Sequence, residues 1–330
     1  MQLIMDPRWN GPHGIGRFGR EVLARISHTP LEMKGKPLDL LDPVRLNRHL
    51  KRQPQAVFFS PGFNPPAGRP CPFFFTLHDL IHLDSKEESG PLKRLWYEIV
   101  VRPALDRSEG IFTVSEFSKG RILDWSGMDP DKITVVGNGV GPEFTPEGPR
   151  WDKARRPYFL YVGNHKPHKN SQGLVEAFSR SGLSRDFDLV LTGQPDPAMT
   201  RCLADLPSGN ALRFVGKIED FELAALYRSA QALILPSWIE GFGLPLIEAM
   251  ASGTPVISSN RTALPEIGGD AALYFDPSEP ESLVAALHRF QDPEQSHPYR
   301  RLGIERARLF RWEQVSERIQ KRLQKALPPA

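Results

Sequence analysis

The sequence predicts an α/β protein of two Rossmann-like, doubly wound domains facing each other across a cleft, with a C-terminal amphipathic helix packing back on them. Three observations predict it. Short apolar, β-branched or aromatic runs alternate with longer helical patterns from one end of the 330-residue chain to the other, as in parallel sheets covered by helices. That series stops once, from Gly139 to Pro157, where GVGPEFTPEGPRWDKARRP replaces apolar periodicity with proline, glycine and charge, as an interdomain linker does. Beyond it a second series of the same kind begins.

In the first series the strand candidates are QLIMD, PLDLL, AVFFS, PFFFTL, GIFTVS and KITVVG, each a short apolar run bounded by turn residues. Between them, Pro91 to Arg107 carries Leu95, Ile99, Val100 and Leu105 with charges interspersed, and Ser115-Glu116 opens a helix as an N-cap does. The second series contains YFLYVG, DLVLTG, LRFVG, ALILPS, PVISS and ALYF. The final WEQVSERIQKRLQKAL, Trp312 to Leu327, is amphipathic at helical spacing. The expected division is a first domain at 1–148, a second at 149–310, and a helix at 311–330 able to cross back to the first.

With 42 basic against 39 acidic residues, the chain offers no whole-molecule electrostatic case for binding nucleic acid. Its charge is uneven, however: Tyr299 to Ala330 holds nine Lys or Arg against three Glu, either a solvated helix face or a surface drawing phosphate-rich or membrane partners. Cys71 and Cys202 are too few and too far apart for a disulfide framework or a zinc site, which favours a reducing compartment. MQLIMDPRWN lacks the basic and apolar regions of a secretory leader, and no run approaches the roughly 18 apolar residues of a membrane span. The cytoplasm is the expected location, with peripheral contact at the inner face of the membrane left open.

GIGRFG, from Gly14 to Gly19, fits the G-x-G-x-x-G pattern of a dinucleotide-binding turn, with Asp39 about twenty residues downstream. That fingerprint needs its first glycine directly after the strand, to deliver a pyrophosphate to the helix N-terminus. Here PRWNGPH intervenes, which argues against a dehydrogenase. The stretch reads as a glycine-rich loop feeding a helix, with Gly14 and Gly16 touching a donor or acceptor, or as a turn with no ligand. Arg17 could extend from it to the ligand.

The stronger constellation is PSWIEGFGLPLIEAMASGTPVISS. An apolar strand ends in a loop with two glycines, and Pro245 stands where a helix would start, the position at which its missing N–H costs nothing. Free amides of the loop and first turn make an anion site. Glu240 precedes the glycines and Glu248 follows them; eight residues at ~1.5 Å each span on the order of 12 Å, too far for the carboxylates to share a proton. They could instead hold two separate hydroxyl-bearing parts of one long ligand, with phosphates on the amides between. A nucleotide-sugar has that layout.

At these residues the sequence resembles the retaining glycosyltransferases of family 4, which have the GT-B fold. Glu240 and Glu248 match the family's Glu-x7-Glu signature, and GFGLPLIEAMASGTPVI and LPEIGGDAALYFDP read as its continuation. The likeness covers nearly all of residues 155–310. In the first half it rests on GIGRFG, TLHDL, TVSEFSK and Asn138 to Val140. It implies an acceptor-side first domain and a donor-binding second one. It further implies that Glu248 binds the ribose hydroxyls, and that Glu240 with the backbone of Gly241, Phe242, Gly243 and Leu244 holds the donor's sugar and phosphates.

Transfer leaves a nucleoside diphosphate with new negative charge, which must be stabilised. In YVGNHKPHKN, Lys169 matches the lysine that family members use for this, followed by Asn170. Where many members also have an arginine, this chain has Asn164, with Lys166 nearby as its substitute or not. DPD, Asp129 to Asp131, imitates a metal signature but stands in a turn context, and no histidine spacing suggests a metal site, so metal-independent transfer is expected, with no cofactor. In PFFFTLHDL, His78 and Asp79 fall at the carboxyl end of a strand, where an imidazole could hydrogen-bond the donor sugar, take the acceptor's proton or be purely structural. FVGKIEDFELAALY looks like the family segment whose backbone, here around Lys217 and Ile218, reads the nucleobase edge.

HKN, TLHDL and EGFGLP together are most similar to bacterial mannosyltransferases, so the expected activity is transfer of mannose from GDP-mannose to a glycan or lipid-linked saccharide. A UDP-sugar donor, a GT-B-fold epimerase or phosphorylase, and a non-catalytic nucleotide-sugar-binding assembly subunit are the alternatives.

Overall fold

In the computed structural model, which describes residues 2–85, 88–204 and 211–326, the strands pair into two parallel sheets of six. The chain divides into two units, Met1–Gly139 with Arg311–Ala330, and Val140–Phe310.

The first unit contains β1 (Leu3–Met5), α1 (Gly14–Arg25), β2 (Thr29–Pro30), α2 (Asp42–Leu50), β3 (Val57–Ser60), β4 (Phe73–Thr76), α3 (Ile81–Asp84), α4 (Pro91–Trp96), α5 (Arg102–Arg107), β5 (Gly110–Thr113), α6 (Glu116–Ser126) and β6 (Ile133–Val135). Its sheet order is β2-β1-β3-β4-β5-β6. The run Phe73-Phe74-Phe75 in β4 shows why these strands are apolar on both sides. Phe73 and Phe75 meet Leu46 and Leu50 of α2 and Leu105 of α5, while Phe74 meets Phe18 and Val22 of α1 on the other face. The Ser115 hydroxyl accepts from the Ser118 N–H to cap α6, and Gly127, at φ 66°, ends it. Between α4 and α5 the helix continues through a π-helical stretch, Tyr97–Val101, because Pro103 has no N–H for the ordinary ladder.

The second unit contains β7 (Tyr158–Tyr161), α7 (Ser171–Arg180), β8 (Asp188–Leu191), α8 (Pro197–Ala204), β9 (Leu212–Phe214), α9 (Asp220–Ser229), β10 (Ala232–Leu235), α10 (Leu244–Ala251), β11 (Val256–Ser259), α11 (Leu264–Gly268), β12 (Leu273–Phe275), α12 (Pro280–Phe290) and α13 (Pro293–Ala307). Its order is β12-β11-β10-β7-β8-β9, so every strand expected here is present. The last helix, α14 (Trp312–Ala326), returns to the first unit, where Trp312, Val315, Ile319 and Leu323 bury against the α1 side of the sheet. Its expected last residue, Leu327, lies outside the described residues.

Four expectations are corrected. PLDLL is not a strand: Leu38, Leu40 and Leu41 are exposed in a turn that the Asp39 carboxylate and carbonyl tie to the Lys36 and Asp42 amides, and the place beside β1 goes to Thr29–Pro30. GIGRFG is not a loop but the first turns of α1. The unit boundary falls at Gly139 rather than 148, because residues 140–149 pack on the second unit: Phe144 stands edge-on to Tyr227 at 5.8 Å, and Arg228 donates to the carbonyls of Thr145 and Pro149. The basic C-terminal segment is not simply a solvated face, since Arg318 donates to the Val136 carbonyl, Arg322 to those of Glu109 and Asp131, and Arg306 to those of Glu266 and Ile267. Among the described residues no helix is long and apolar enough to cross a membrane.

Candidate functional site

In the second sheet the chain runs β7-β8-β9 to one side, then β10-β11-β12 to the other, so the strand order reverses between β7 and β10. The loops leaving their carboxyl ends flank the crevice where such sheets hold ligands. Two hydrogen bonds stitch these loops together: the Trp238 N–H donates to the His168 carbonyl at 2.8 Å, and the Asn170 side-chain Nδ2 to the Pro236 carbonyl at 3.1 Å. Asn170 takes a left-handed conformation, φ 53°, between the 3₁₀ turn Pro167–Lys169 and α7.

This stitching brings Lys169 to Glu240, 71 residues later. The ammonium donates to both carboxylate oxygens, at 2.7 and 2.8 Å. Ser237 donates to Oε1 at 2.8 Å, and the Glu240 N–H is received by the Thr262 hydroxyl at 3.0 Å. Lys169 keeps 21 % of its side chain exposed against 8 % for Glu240, so the ammonium is the member of the pair that an incoming anion reaches. Burial, with the Glu240 charge, pushes the Tyr161 phenol up, and its hydroxyl donates to the Asn164 carbonyl.

Gly241, Phe242 and Gly243 are buried, and Phe242 stands edge-on to Phe310. Gly243, at φ 93°, turns the loop into α10, and a Cβ there would fall 2.7 Å from a Leu264 methyl, which admits only glycine. Leu244 and Pro245 open the helix. Glu248, fifth in α10, is buried and accepts from the Tyr227 hydroxyl at 3.1 Å. Asn164 and Lys166 are exposed on the β7 loop, the Lys166 N–H donating to the Asn164 side chain. Lys217 and Ile218 follow β9, next to a bridge between Gly193 and Gly216, both at positive φ. Lys217 points to solvent, 3.6 Å from Glu219. The structure therefore joins Lys169 and Asn170 to the loop of Glu240, which continues through Gly241 to Leu244 into the helix of Glu248, with Lys217 and Ile218 two strands away from β7.

The first unit treats its own reversal point, between β1 and β3, differently. Arg8 lies there between Asp6 and Asp42: Nε and Nη2 donate to Asp6 at 2.8 and 2.7 Å, and Nη1 donates to Asp42 at 2.6 Å. Asn64 donates to both carboxylates and accepts from the Trp9 indole at 2.6 Å and the Ser60 hydroxyl at 2.5 Å. All four polar partners of Arg8 and Asn64 named here, Asp6, Asp42, Ser60 and Trp9, are buried. Sequence reasoning missed this network, since nothing in single residues up to 58 apart signals that they meet.

The glycines of GIGRFG answer to the same packing. A Cβ on Gly16 would fall 1.9 Å from the Gly11 carbonyl, and one on Gly19 2.2 Å from that of Trp9. The Gly16 N–H donates to His13 Nδ1, which caps α1, so this amide already has its acceptor. Gly14 is exposed at the helix start, and Arg17 is half-buried in the next turn. DPD forms the expected turn, Asp129 accepting from the Asp131 N–H. Among the described residues no group of three or more His, Cys, Asp or Glu is placed to hold a metal ion.

His78 sits buried after β4, edge-on to Phe18 at 4.8 Å, with Nε2 2.9 Å from the Pro61 carbonyl. A carbonyl only accepts, so Nε2 carries the proton and Nδ1 is the lone-pair nitrogen. Burial pulls the imidazole down to about 4 from 6.5. At neutral pH His78 is a neutral hydrogen-bond acceptor rather than a proton carrier. Asp79, beside it, accepts from the Ile81 N–H at 3.0 Å. Because the folded chain resists a proton that the unfolded chain takes up, stability is full above 6.5 and falls as pH drops towards 4. The His78 share of this loss at pH 5 relative to pH 7 is about 2 kcal/mol. Urea unfolding of wild type and His78→Gln at the two pH values checks it: the gap between them must narrow in acid.

The family model described as glycosyl transferases group 1 matches residues 149–308, and that described as Glycosyltransferase Family 4 matches residues 4–144. The chain is 30% identical over 307 residues to O-antigen chain mannosyltransferase B of Escherichia coli, covering 88% of this chain and 80% of that protein. It is 32% identical over 264 residues to MMP α-(1→4)-mannosyltransferase of Mycolicibacterium hassiacum, covering 74% of this chain and 63% of that one. Among solved structures, Anabaena HepE in complex with UDP and glucose superposes with a TM-score of 0.75 over 98% of this chain and 99% of its own, at 14% identity, a likeness of fold.

Proposed function

We infer that this chain, which belongs to glycosyltransferase family 4, transfers mannose from GDP-mannose to a hydroxyl of a glycan or lipid-linked saccharide, with retention at the anomeric carbon and without a metal ion. The single observation that carries the reading is the Lys169–Glu240 pair at the strand reversal of the second sheet, on the loop that leads into the helix of the buried Glu248. A diphosphate entering this crevice competes with Glu240 for the Lys169 ammonium. As Lys169 turns to the phosphates, the Glu240 carboxylate is released to accept from a hydroxyl of the sugar.

The amides of Gly241 to Leu244 and the start of α10 add positive partial charge at the same phosphates. Glu248, held by Tyr227, accepts from the ribose hydroxyls, and the backbone at Lys217 and Ile218 lies against the base. In the transfer the bond between the anomeric carbon and the phosphate oxygen breaks, and the acceptor oxygen bonds on the face being vacated. The acceptor's proton passes to the departing phosphate oxygen. In the first unit, His78 Nδ1 accepts from a sugar hydroxyl, which fits a neutral ring better than the proton-abstracting role. Mannose is favoured because two relatives of bacterial origin are named mannosyltransferases. The reducing interior of the cell, where sugar nucleotides are made, is the proposed location.

A thermal-shift panel of GDP, UDP, ADP and their hexose conjugates tests the donor, since a ligand of the folded state alone raises the melting temperature. GDP and GDP-mannose are expected to give the largest shifts. A shift with UDP compounds only would replace the donor, and a shift with NAD, added to the panel, but with none of the sugar nucleotides would end the reading. Glu248→Gln should weaken donor binding about tenfold to a hundredfold through loss of charged hydrogen bonds, with the ligand-free melt unchanged. NMR of the product must show the donor's anomeric configuration.

A further inference from the structure

We propose that the outer face of α2 and of the helix running from α4 through α5 is a docking surface for an anionic lipid bilayer. Of the ten large apolar side chains most exposed among the described residues, seven lie in two short segments: Leu38, Leu40 and Leu41 in the turn that leads into α2 with Val44 in its first turn, and Leu92, Leu95 and Ile99 on the second helix. The latter three recur at i, i+3 and i+7 and so form one stripe. The inner sides of both helices, with Leu46 and Leu50 on one and Val101 and Leu105 on the other, cover the same face of the first sheet. Their outer sides therefore look the same way.

Cations are interleaved with this apolar surface. Between residues 32 and 52, Lys34, Lys36, Arg45, Arg48, Lys51 and Arg52 are exposed, against an exposed Glu32 and a half-buried Asp39. The charge of Asp42 is taken by Arg8. Lys93, Arg94 and Arg102 flank the second stripe, Lys93 3.9 Å from the buried Glu88 and Arg102 3.1 Å from Glu98. Leucines that enter the acyl boundary, set among lysines and arginines that meet anionic headgroups, are the chemistry of an interfacial helix. An acidic protein partner would use the cations and leave the leucines wet. The basic C-terminal segment is less suited, because Arg318 and Arg322 are engaged with backbone carbonyls.

Co-sedimentation of the full chain with extruded vesicles tests the proposal without any sugar nucleotide, so its outcome is independent of the donor. Binding is expected to vesicles of phosphatidylglycerol and phosphatidylethanolamine, not to phosphatidylcholine alone, and to weaken as salt rises. Leu40→Ser/Leu41→Ser/Leu95→Ser/Ile99→Ser and, separately, Arg45→Glu/Arg48→Glu should each lower binding at least about tenfold. Both should melt with the wild type, since the altered side chains are exposed. Lys321→Glu/Lys325→Glu, on the exposed side of α14, should bind as wild type does. Absence of binding to the anionic vesicles, equal binding to the neutral ones, undiminished binding by the serine variant, or a loss confined to the Lys321/Lys325 variant would each overturn it.

Discussion

Replacing Lys169 with alanine is expected to lower the rate of nucleoside diphosphate release from the donor about 10²- to 10³-fold, as loss of a preorganised charge stabiliser does. Two effects act together. On the proposed mechanism the departing phosphates lose a cation, and Glu240, hydrogen-bonded through Ser237 and mostly buried, remains as a carboxylate without its lysine. Its charge then opposes the diphosphate. The variant Lys169→Ala/Glu240→Gln separates the two: because the pair works as a unit, the double variant should be no slower than the slower single one. Steady-state rates at saturating donor, with circular dichroism to confirm folding, decide it. Undiminished turnover by Lys169→Ala would remove the lysine from the reaction.

The largest effect on stability is expected at Arg8. Burial opposes its charge, but hydrogen bonds and charge from Asp6 and Asp42 outweigh that and hold the guanidinium well above its ordinary value. Arg8→Ala strands two buried carboxylates, which typically costs about 3–5 kcal/mol. A melting temperature lower by roughly 10 °C follows for a unit of this size. If the stranded charge is the cause, Arg8→Ala/Asp6→Asn/Asp42→Asn should regain part of the loss, because neutral amides tolerate burial better than unpaired carboxylates. A wild-type melt for Arg8→Ala would show that the network contributes little.

The sequence made the second unit legible because its strands are central and buried on both faces. Such strands need uninterrupted runs like ALIL and VISS, closed by proline or glycine. PLDLL misleads because alternating leucines describe equally well a turn that leaves them outside, and only the competitor Thr29–Pro30 shows which segment pairs with β1. Glu240 and Glu248 were legible because they are close in sequence and carried by one loop and its helix. That Lys169 bonds to Glu240 was not, since it depends on two inter-loop hydrogen bonds set by packing. At Gly16 and Gly19 close backbone approach by Gly11 and Trp9 demands the same residue as a phosphate would, so the glycine pattern alone does not distinguish the two.

The arginine wedged between Asp6 and Asp42 bears on more than melting behaviour. Two parallel six-stranded sheets make up this chain, and at the reversal point of the first the protein's own guanidinium already satisfies both carboxylates. If the proposed function holds, calorimetric titration should therefore count one nucleotide per chain rather than two.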